Sequence, residues 1–297
     1  PALGVKKILR KKLVVKVVGD YAWEQWQGRY AGNKKQETNF INLEEFQKEK
    51  FSGKIGWLKK IEKKVCRQAD AVIVPSFYLK KIVIGWGVAE EKIKVIYNSL
   101  EKIELMISKN QAKEEINISG DIILSIGRLV SWKGFNTLVD LMPRLLGINH
   151  NFKLVIIGDG PERENLKSQI VKYKLQNNVF LLGKIDHSKI AWYLKAADLF
   201  VLNSGYEGLS HLLLEAMTIG TPIIASRIGG NPELIEHNYN GLLAGFNNEQ
   251  EIFDSIITLW RDKNLQNKFV DNCEKILDKF NFDKMVADTI NVLAKKE

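Results

Sequence analysis

Two basic side chains flank a turn that follows a predicted strand in the second half of the chain. Residues 127–134 (GRLVSWKG) place Arg128 directly after predicted strand 122–126 and Lys133 just before the next predicted helix. Arginine offers a planar fork of donors, lysine a point charge and a helix N-terminus a partial positive charge, and together they suit a diphosphate. Two ordinary surface cations would give the same pattern, so the pair alone is ambiguous.

A second candidate group consists of Glu207 and Glu215, two carboxylates with seven residues between them. Glu207 lies in a predicted loop and Glu215 in the helix that follows, so both can face one cleft. Carboxylates accept hydrogen bonds from hydroxyl groups, which suits a ligand that carries a sugar and a ribose. A pair of surface glutamates is the alternative, but the apolar neighbours of Glu215 predict burial and therefore a partner. Backbone N–H groups from Gly208 onward could meet a phosphate.

A third turn, residues 158–161 (GDGP), ends another predicted strand. Its glycines permit a tight turn and the close approach of a ligand. It lacks the full G-x-G-x-x-G spacing, and no acidic residue follows at the end of a next strand to bind a ribose. The sequence therefore argues against a dinucleotide-dependent dehydrogenase.

These turns are positioned by short apolar strands that alternate with amphipathic helices. The alternation predicts βαβ units, a parallel sheet with helices on both faces, and hence an α/β fold. In the second half, strands are predicted at 122–126, 153–157, 179–182, 199–202 and 222–225, and helices at 134–146, 163–173, 190–197, 209–218, from 232, and over most of 249–296. In the first half, strands are predicted at 13–18, 71–74 and 94–96, helices at 43–68 and at 77–86 with Ser76 as N-cap, and a loop or broken helix at 21–42.

A chain of 297 residues is long enough for two domains. Residues 101–120 are polar and without strong periodicity, which predicts a connection between domains. The predicted division is a first domain at 1–105, a linker at 106–120, a second domain at 121–275, and a C-terminal helix at 276–297 that could return to the first domain.

Taken in order, three motifs resemble the retaining GT-B glycosyltransferases of family 4 (glycosyl transferases group 1). They are GRLVSWKG, the spacing of Glu207 and Glu215, and the later run GTPIIAS…GGNPELI…NGLL. The earlier QADAVIVPSFYLKK…KIKVIYNSLE resembles the late part of that family's acceptor domain. The resemblance implies two Rossmann-like domains that face a cleft. It also implies transfer of a hexose, with retention, from a UDP- or GDP-sugar to a hydroxyl of a glycan or lipid-linked acceptor.

The resemblance also assigns roles to residues. It implies that Arg128 and Lys133 bind the donor diphosphate, that Glu207 holds sugar hydroxyls as a catalytic residue, and that Glu215 binds the ribose. The other donor-binding residues that it implies are Gly127, Gly208, Leu209, Gly183, Lys184 and Ile185, the last three beside the base. The family is usually metal-independent, so no metal or other cofactor is expected, and the two cations must stabilise the leaving diphosphate.

Two departures from the family pattern matter. Members commonly carry a histidine in an acceptor-domain loop that faces the donor sugar, whereas the matching stretch here, residues 17–24, reads VVGDYAWE. Asp20 is the candidate for that catalytic role. The chain also lacks the strands and the glycine-rich loop with which the family begins, so the first domain is expected to be incomplete.

Positive charge is concentrated in the first half of the chain. Residues 1–110 carry 23 Lys and Arg against 12 Asp and Glu, whereas residues 111–297 carry 21 against 23. The predicted helix with Trp57, Lys59, Lys60, Lys63 and Lys64 could dock on an anionic membrane, as acceptor domains of this family often do. A helix packed on the sheet, with solvated lysines, explains the same residues. No recognised module for nucleic acid accompanies the charge, so no nucleic-acid partner is expected.

The remaining sequence features indicate the compartment. The two cysteines, Cys66 and Cys273, form neither a disulfide framework nor a CxxC motif, and the four histidines lack ligand spacing. No apolar run has the length that a membrane span needs. A cytoplasmic protein without a structural metal is expected, with peripheral contact to the inner face of the membrane as an option.

Two other functions are compatible with the same residues. A GT-B nucleotide-sugar epimerase would use the cleft without an acceptor. A non-catalytic nucleotide-sugar-binding subunit would need a partner chain to supply the rest of the first domain.

Overall fold

A computed structural model describes residues 2–28, 40–101 and 105–294. The first part of the chain forms strands β1 (Val14–Lys16), β2 (Ala71–Val74) and β3 (Ile93–Val95). They pair in that order as a parallel sheet. The helices of this part are α1 (Ala2–Leu9), α2 (Tyr21–Gln27), α3 (Leu43–Lys48), α4 (Gly53–Gln68) and α5 (Phe77–Gly85). Helix α6 (Lys109–Ile116) follows and packs on the larger sheet.

The second part of the chain forms a larger parallel sheet with helices packed on both faces. Its strands are β4 (Asp121–Ile126), β5 (Phe152–Ile157), β6 (Val179–Gly183), β7 (Leu199–Leu202), β8 (Ile223–Ser226) and β9 (Leu242–Ala244). Its helices are α7 (Phe135–Leu146), α8 (Arg163–Lys172), α9 (His187–Ala196), α10 (His211–Ile219), α11 (Asn231–Leu234), α12 (Glu249–Arg261), α13 (Lys263–Leu277) and α14 (Phe282–Ala294).

The order of strands in the larger sheet determines where a ligand can bind. The order is β6-β5-β4-β7-β8-β9, so the chain moves outward in one direction from β4 and then returns to the other side of β4 with β7. Neighbouring connections leave the sheet toward opposite faces at this switch point and open a crevice at the carboxyl ends of β4 and β7. The turn with Arg128 follows β4, and the loop with Glu207 follows β7.

The strands that the apolar runs predicted are present, since short β-branched runs bury well on both faces of a parallel sheet. All four residues of β2 are buried, for example, and the Oγ of Ser76 caps α5 by accepting a hydrogen bond from the N–H of Leu79 at 3.1 Å. The structure adds helix α1 and strand β9, and in the segment expected to be a loop or broken helix at 21–42 it forms α2. Residues 29–39 of that loop lie outside the described residues.

Two predicted elements differ from the structure. The helix expected over 43–68 is two helices, α3 and α4, because the chain leaves the helical conformation at Glu49 and Gly53 takes a φ of +60°. The segment expected to be a linker contains α6, which opens with a capping box formed by Ser108 and Gln111. The Ala112 side chain of α6 is fully buried in the core of the larger sheet.

An ion-pair cluster fixes α6 to the larger sheet. The carboxylate of Asp198, next to β7, binds the ammonium of Lys109 at 2.7 Å and that of Lys113 at 2.9 Å. It also accepts a hydrogen bond from the N–H of Ile122 at the start of β4, at 2.8 Å. Helix α6 is therefore packed against the larger sheet. The domain limits themselves remain a prediction.

The two sheets share a hydrophobic core. Val130, Trp132 and Tyr206 come from loops of the larger sheet and pack among buried residues of the smaller one. The ring of Trp23 lies 5.5 Å from that of Trp132 and 4.9 Å from that of Tyr206, measured between centroids. The loops that carry Arg128 and Glu207 are thereby held against the first domain.

The C-terminal helix also reaches the first domain. The Lys12 ammonium donates to the carbonyl of Val292 at 2.6 Å, and the Ser99 hydroxyl lies 3.3 Å from the sulfur of Met285. Val292 and Met285 belong to α14. The expected division of the chain at residue 276 stays a prediction.

The lysine-rich helix α4 does not present all its charges to solvent. The Lys59 ammonium turns inward, donates to the carbonyls of Phe46 and Glu49 at 2.6 and 2.9 Å, and lies 4.4 Å from the centre of the Phe46 ring. Lys59 therefore cannot contact a membrane surface from this position, whereas Trp57 is 61% exposed. Among the described residues, no helix is long and apolar enough to cross a membrane.

Candidate active site

A cavity of about 680 Å³ opens at the carboxyl ends of β4, β5 and β6. Its position next to the switch point is where open parallel sheets bind ligands. Four of the expected donor-binding residues line it: Gly127, Arg128, Lys184 and Ile185. Asp159, Pro161 and His187 line it as well, together with the apolar side chains of Ile126, Ile157, Ile190 and Leu212.

Three neighbouring turns form the floor of this cavity, which we call the donor cavity. The N–H of Gly127 donates to the carbonyl of Ile157, and the N–H of Gly158 donates to that of Gly183, at 2.9 and 2.8 Å. A Cβ atom on Gly158 would overlap the carbonyl oxygen of Gly127, and the φ of Gly158 is +140°. Only glycine fits where the turns approach so closely. Arg128 is exposed at the edge of this floor.

The ammonium of Lys133 and the carboxylate of Glu207 form an ion pair between the two loops at the switch point. Both side chains are largely shielded from water, with 19% and 14% of their surface exposed. A pair so shielded keeps its charges in one geometry, because each group loses its partner if it moves. The two residues that the sequence separates by 74 positions thus share one site.

The Glu207 loop is held by backbone contacts. The N–H of Gly230 donates to the carbonyl of Glu207 at 2.9 Å, and that of Gly205 donates to the carbonyl of Trp132 at 2.7 Å. Gly229 has a φ of +59°, and a Cβ there would overlap the same Glu207 carbonyl. The Gly229 and Gly230 pair of the GGNPELI motif therefore positions the Glu207 loop.

Glu215 is buried and has the partner that its apolar surroundings predicted. Only 3% of its surface is exposed, and its Oε1 lies 3.1 Å from the Nε2 of His187. His187 is itself 79% exposed in its side chain and lines the donor cavity. Glu215 lies one turn into α10 and approaches the cavity from behind His187.

Two other expected donor residues lie deeper than the cavity. A Cβ on Gly208 would come within 2.5 Å of the carbonyl oxygen of Val18, so this glycine permits close packing between the two domains. Leu209 is buried, and its carbonyl accepts a hydrogen bond from the Asn98 amide at 3.5 Å. Their expected contact with the donor stays a prediction.

Asp20 does not face the donor cavity. It is the N-cap of α2, is 1% exposed, and accepts hydrogen bonds from the N–H of Trp23 at 2.8 Å and from the Gln47 amide at 2.7 Å. Burial raises the pKa of its carboxyl group above the usual range, although these hydrogen bonds and the nearby Lys59 lower it. The observed contacts are those of a helix cap, so the catalytic role that we expected for Asp20 has no support from its position.

Glu24, one turn along the same helix, does face the cleft. It lines a second cavity of about 310 Å³ together with Lys54, Arg128 and Trp132. Burial raises the pKa of the Glu24 carboxyl group, while Arg128 and Lys133 lower it. Sequence reasoning passed over Glu24 because a family position directed attention to Asp20. It passed over His187 because histidines were considered only for metal-ligand spacing.

Glu233, also from the GGNPELI motif, joins the two domains. Its carboxylate accepts hydrogen bonds from the N–H groups of Phe77 and Tyr78, at 2.9 and 2.8 Å, at the start of α5. It also accepts a hydrogen bond from the hydroxyl of Tyr97 at 3.1 Å. A carboxylate at a helix N-terminus meets unpaired N–H donors and the positive end of the helix dipole.

We expect Glu233→Ala to lower the free energy of unfolding by about 1–2 kcal/mol, because α5 loses a charged cap. Glu233→Gln should lower the free energy of unfolding by less, since its amide oxygen can still accept a hydrogen bond. Thermal unfolding followed by circular dichroism measures both, with the exposed Glu236→Ala as control. Equal melting temperatures for the Glu233→Ala variant and the wild type would show that this contact does not stabilise the protein.

Among the described residues, no group of three His, Cys, Asp or Glu side chains is placed to hold a metal ion. The charges that lie near the donor cavity include those of Arg128, the Lys133 and Glu207 pair, Asp159 and Lys184.

Comparison with solved structures identifies the fold. The chain matches the crystal structure of Anabaena HepE in complex with UDP and glucose with a TM-score of 0.79, at 22% identity, over 98% of this chain and 73% of that one. It matches sucrose-phosphate synthase from Thermosynechococcus elongatus with a TM-score of 0.74, at 23% identity, over 91% and 70%. These matches and the two parallel sheets confirm the α/β fold of GT-B type, with two Rossmann-like domains.

Sequence comparison gives the family. The family described as glycosyl transferases group 1 matches residues 106–276, and glycosyltransferase family 4 matches residues 38–101. The chain belongs to the glycosyl transferases group 1.

The chain is also similar to individual members. Two uncharacterized glycosyltransferases of Methanocaldococcus jannaschii are 33% and 31% identical, over 74% and 84% of this chain. The N-acetyl-alpha-D-glucosaminyl L-malate synthase of Bacillus anthracis is 29% identical over 74% of this chain and 58% of its own length. The chain spans 59% and 64% of the length of the two archaeal relatives.

Proposed function

We propose that the protein transfers a hexose from a UDP-sugar to a hydroxyl group, with retention of configuration. The single observation that carries the proposal is the donor cavity at the switch point, which has Arg128 at its edge and the Lys133 and Glu207 pair between the two loops beside it. The similarity to HepE, whose structure contains UDP and glucose, supports uridine over guanosine.

Each role follows from the charge and position of a side chain. Arg128 binds the diphosphate through its planar donors, and Lys133 adds a second positive charge beside it. His187 and Glu215 hold the ribose, because His187 lines the donor cavity and Glu215 contacts it from behind. Glu207 holds hydroxyl groups of the transferred sugar while Lys133 fixes its carboxylate.

The proposed reaction is a front-face displacement. The acceptor oxygen attacks the anomeric carbon from the side on which the diphosphate leaves, which retains the configuration. Arg128 and Lys133 stabilise the charge that develops on the diphosphate, a task that otherwise falls to a metal ion. We therefore propose that the reaction is metal-independent.

The acceptor that we propose is a glycan or a lipid-linked sugar. A relative from Rhizobium meliloti, named as lipopolysaccharide core biosynthesis glycosyltransferase LpsE, is 26% identical over 77% of this chain. Its name supports an acceptor of the cell envelope. Peripheral membrane contact through the exposed side of α4, near Trp57, is part of the same proposal.

We expect Arg128→Ala to weaken the binding of UDP by about 10- to 100-fold, because charge-assisted hydrogen bonds to the diphosphate are lost. Titration calorimetry with UDP and GDP, in magnesium and in EDTA, measures this. The control is Arg261→Ala, which removes an exposed arginine at the end of α12 and does not touch the donor cavity.

The comparison of nucleotides and conditions tests each part of the proposal. Tighter binding of UDP than of GDP, equal in magnesium and in EDTA, supports the uridine donor and the metal-independent site. Binding that requires magnesium would contradict the metal-independent mechanism. Binding of UDP that is equal in the Arg128→Ala variant and the wild type would contradict the assigned donor site.

A further inference from the structure

We propose that Glu24 is the catalytic base that takes the proton from the attacking hydroxyl, and that the cavity it lines is the acceptor subsite; this rests on the proposed function. The expectation from sequence gave the first domain's catalytic role to Asp20. The position of Glu24 supports a different assignment.

The first support is the relation between the two cavities. Arg128 and Pro161 line both the donor cavity and the 310 Å³ cavity of Glu24. A diphosphate bound by Arg128 therefore lies on the border of the Glu24 cavity. The remaining lining comes mainly from α2 and α4 of the first domain, including Gln25 and Ile55. An acceptor there would approach the sugar from the side of the diphosphate, which is the side that a front-face attack requires.

The second support is an unpaired polar group close to Glu24. The hydroxyl of Tyr206 is buried and, within the described residues, has no hydrogen-bond partner. A Cβ atom built on Gly19 would lie 3.1 Å from this Tyr206 oxygen and 3.3 Å from Oε1 of Glu24. The two oxygens therefore lie close to each other beside Gly19, with no side chain between them. A buried hydroxyl without a partner is costly, and such groups are found where function rather than stability fixes a side chain.

The third support is the difference between Glu24 and Asp20. Both oxygens of Asp20 are used by the N–H of Trp23 and the amide of Gln47. Glu24 makes no ion pair with another described residue, although Arg128 and Lys133 are close enough to lower the pKa of its carboxyl group. Burial and the Asp20 carboxylate raise that pKa, which moves Glu24 toward the range where a carboxylate is an effective base near neutral pH.

The proposed step is balanced in atoms and charge. The acceptor oxygen forms the new bond to the anomeric carbon as the bond from that carbon to the UDP oxygen breaks. The electron pair of the broken bond leaves with the diphosphate, which Arg128 and Lys133 stabilise. The proton of the hydroxyl passes to a carboxylate oxygen of Glu24.

The test uses the full chain, with water in place of the acceptor and UDP-glucose or UDP-N-acetylglucosamine as donor. We expect Glu24→Gln to lower the rate of UDP release by about 100-fold or more, since a general base contributes about 10²- to 10⁴-fold. The affinity for UDP, measured by calorimetry, should change by less than about threefold. Glu91→Gln removes an exposed carboxylate from the same domain and is the matched control.

The pH profile and chemical rescue separate a base from a structural residue. In the wild type the rate should fall as the pH drops through the raised pKa of Glu24, because the protonated carboxyl group cannot accept the proton. The charged and titratable groups that act on Glu24 or lie beside it are Arg128, Lys133, Asp20, Glu62 and Tyr206. In the Glu24→Gln variant the rate should no longer fall at low pH in this way. Formate should restore part of the activity of Glu24→Ala.

Each outcome decides the proposal. A wild-type rate in Glu24→Gln would overturn the base assignment and leave the proposed function in place. The same conclusion follows if Glu24→Gln is slow but its rate still falls at low pH, and if formate does not restore activity to Glu24→Ala. A wild-type chain that binds no UDP, or binds UDP but releases none from either sugar donor, would overturn the proposed function and this proposal with it.

Discussion

Glu207→Gln is expected to lower the rate of UDP release from a UDP-sugar by about 100-fold or more, because the sugar loses the carboxylate that orients it. UDP carries no hexose, so its affinity should not fall. It should rise slightly, since Lys133 is released from its ion pair with Glu207 and becomes available to the diphosphate. The rate is measured by a coupled assay for UDP and the affinity by calorimetry.

Glu215→Gln is the matched variant for Glu207→Gln. Both remove one carboxylate from the segment after β7, but Glu215 lies behind His187 at the donor cavity. This variant should weaken the binding of UDP and of the UDP-sugar together. If Glu207→Gln bound UDP more weakly but kept the wild-type rate, Glu207 would have to bind the nucleotide and Glu215 the transferred sugar.

The same assay distinguishes the alternative functions. An epimerase would convert the donor sugar without an acceptor, and chromatography of the donor after incubation would reveal the second sugar. A non-catalytic binding subunit would bind UDP but would show no turnover for Glu207→Gln to lose. UDP release that requires Glu207 supports the transferase.

The largest effect on stability is expected at Asp198. Asp198→Ala should lower the free energy of unfolding by about 3 kcal/mol, at the low end of the range for breaking a buried ion pair, because two lysines lose their shared partner. The side chain of Asp198 is 8% exposed, whereas those of Lys109 and Lys113 are 37% and 23% exposed. Water can therefore solvate the two ammonium groups in part once their partner is removed. Urea denaturation measures the change, with the exposed Glu115→Ala on α6 as control.

Because Asp198 stabilises the protein through its charge, we also expect the free energy of unfolding to depend on pH. Burial raises the pKa of Asp198, but the two lysines and the N–H of Ile122 lower it more, so the pKa lies below the ordinary value of 3.8. A lowered pKa in the folded state means that the stabilisation is complete above the unfolded value and is lost as the pH falls through the folded value. The wild type should lose stability more steeply than Asp198→Ala below pH 3.8. If the stability of the two proteins fell equally with pH, the charge of Asp198 would not contribute to the stability of the wild type.

Local sequence determined most of the second domain. Runs such as 122–126 and 153–157 are apolar over a strand's length, and such runs bury only in a sheet covered on both faces. The glycine turns that follow them marked the strand ends, and with them the place of Arg128, Gly127 and Lys184 at the donor cavity. These features depend on neighbours in sequence, so the order of residues is enough to predict them.

Short or weakly periodic elements were not predicted from the sequence. Strand β9 has three residues and pairs only at the edge of the sheet, next to β8. Helix α6 has polar residues on most of its surface, and only Ala112 is buried. Its position comes from the ion pairs of Lys109 and Lys113 with Asp198, 89 and 85 residues away in sequence. No pattern within the segment itself could indicate that contact.

What the sequence by itself determined is therefore the α/β fold, the strand ends and the cations and carboxylates found near them. Only the tertiary structure decided which of these groups meet: Lys133 with Glu207, Glu215 with His187, and Glu24 rather than Asp20 at the cleft. Strands and turns follow from interactions between near neighbours. The partner of a charged side chain depends instead on how two domains pack, and one helical turn between Asp20 and Glu24 separates a buried cap from a residue that lines the cleft.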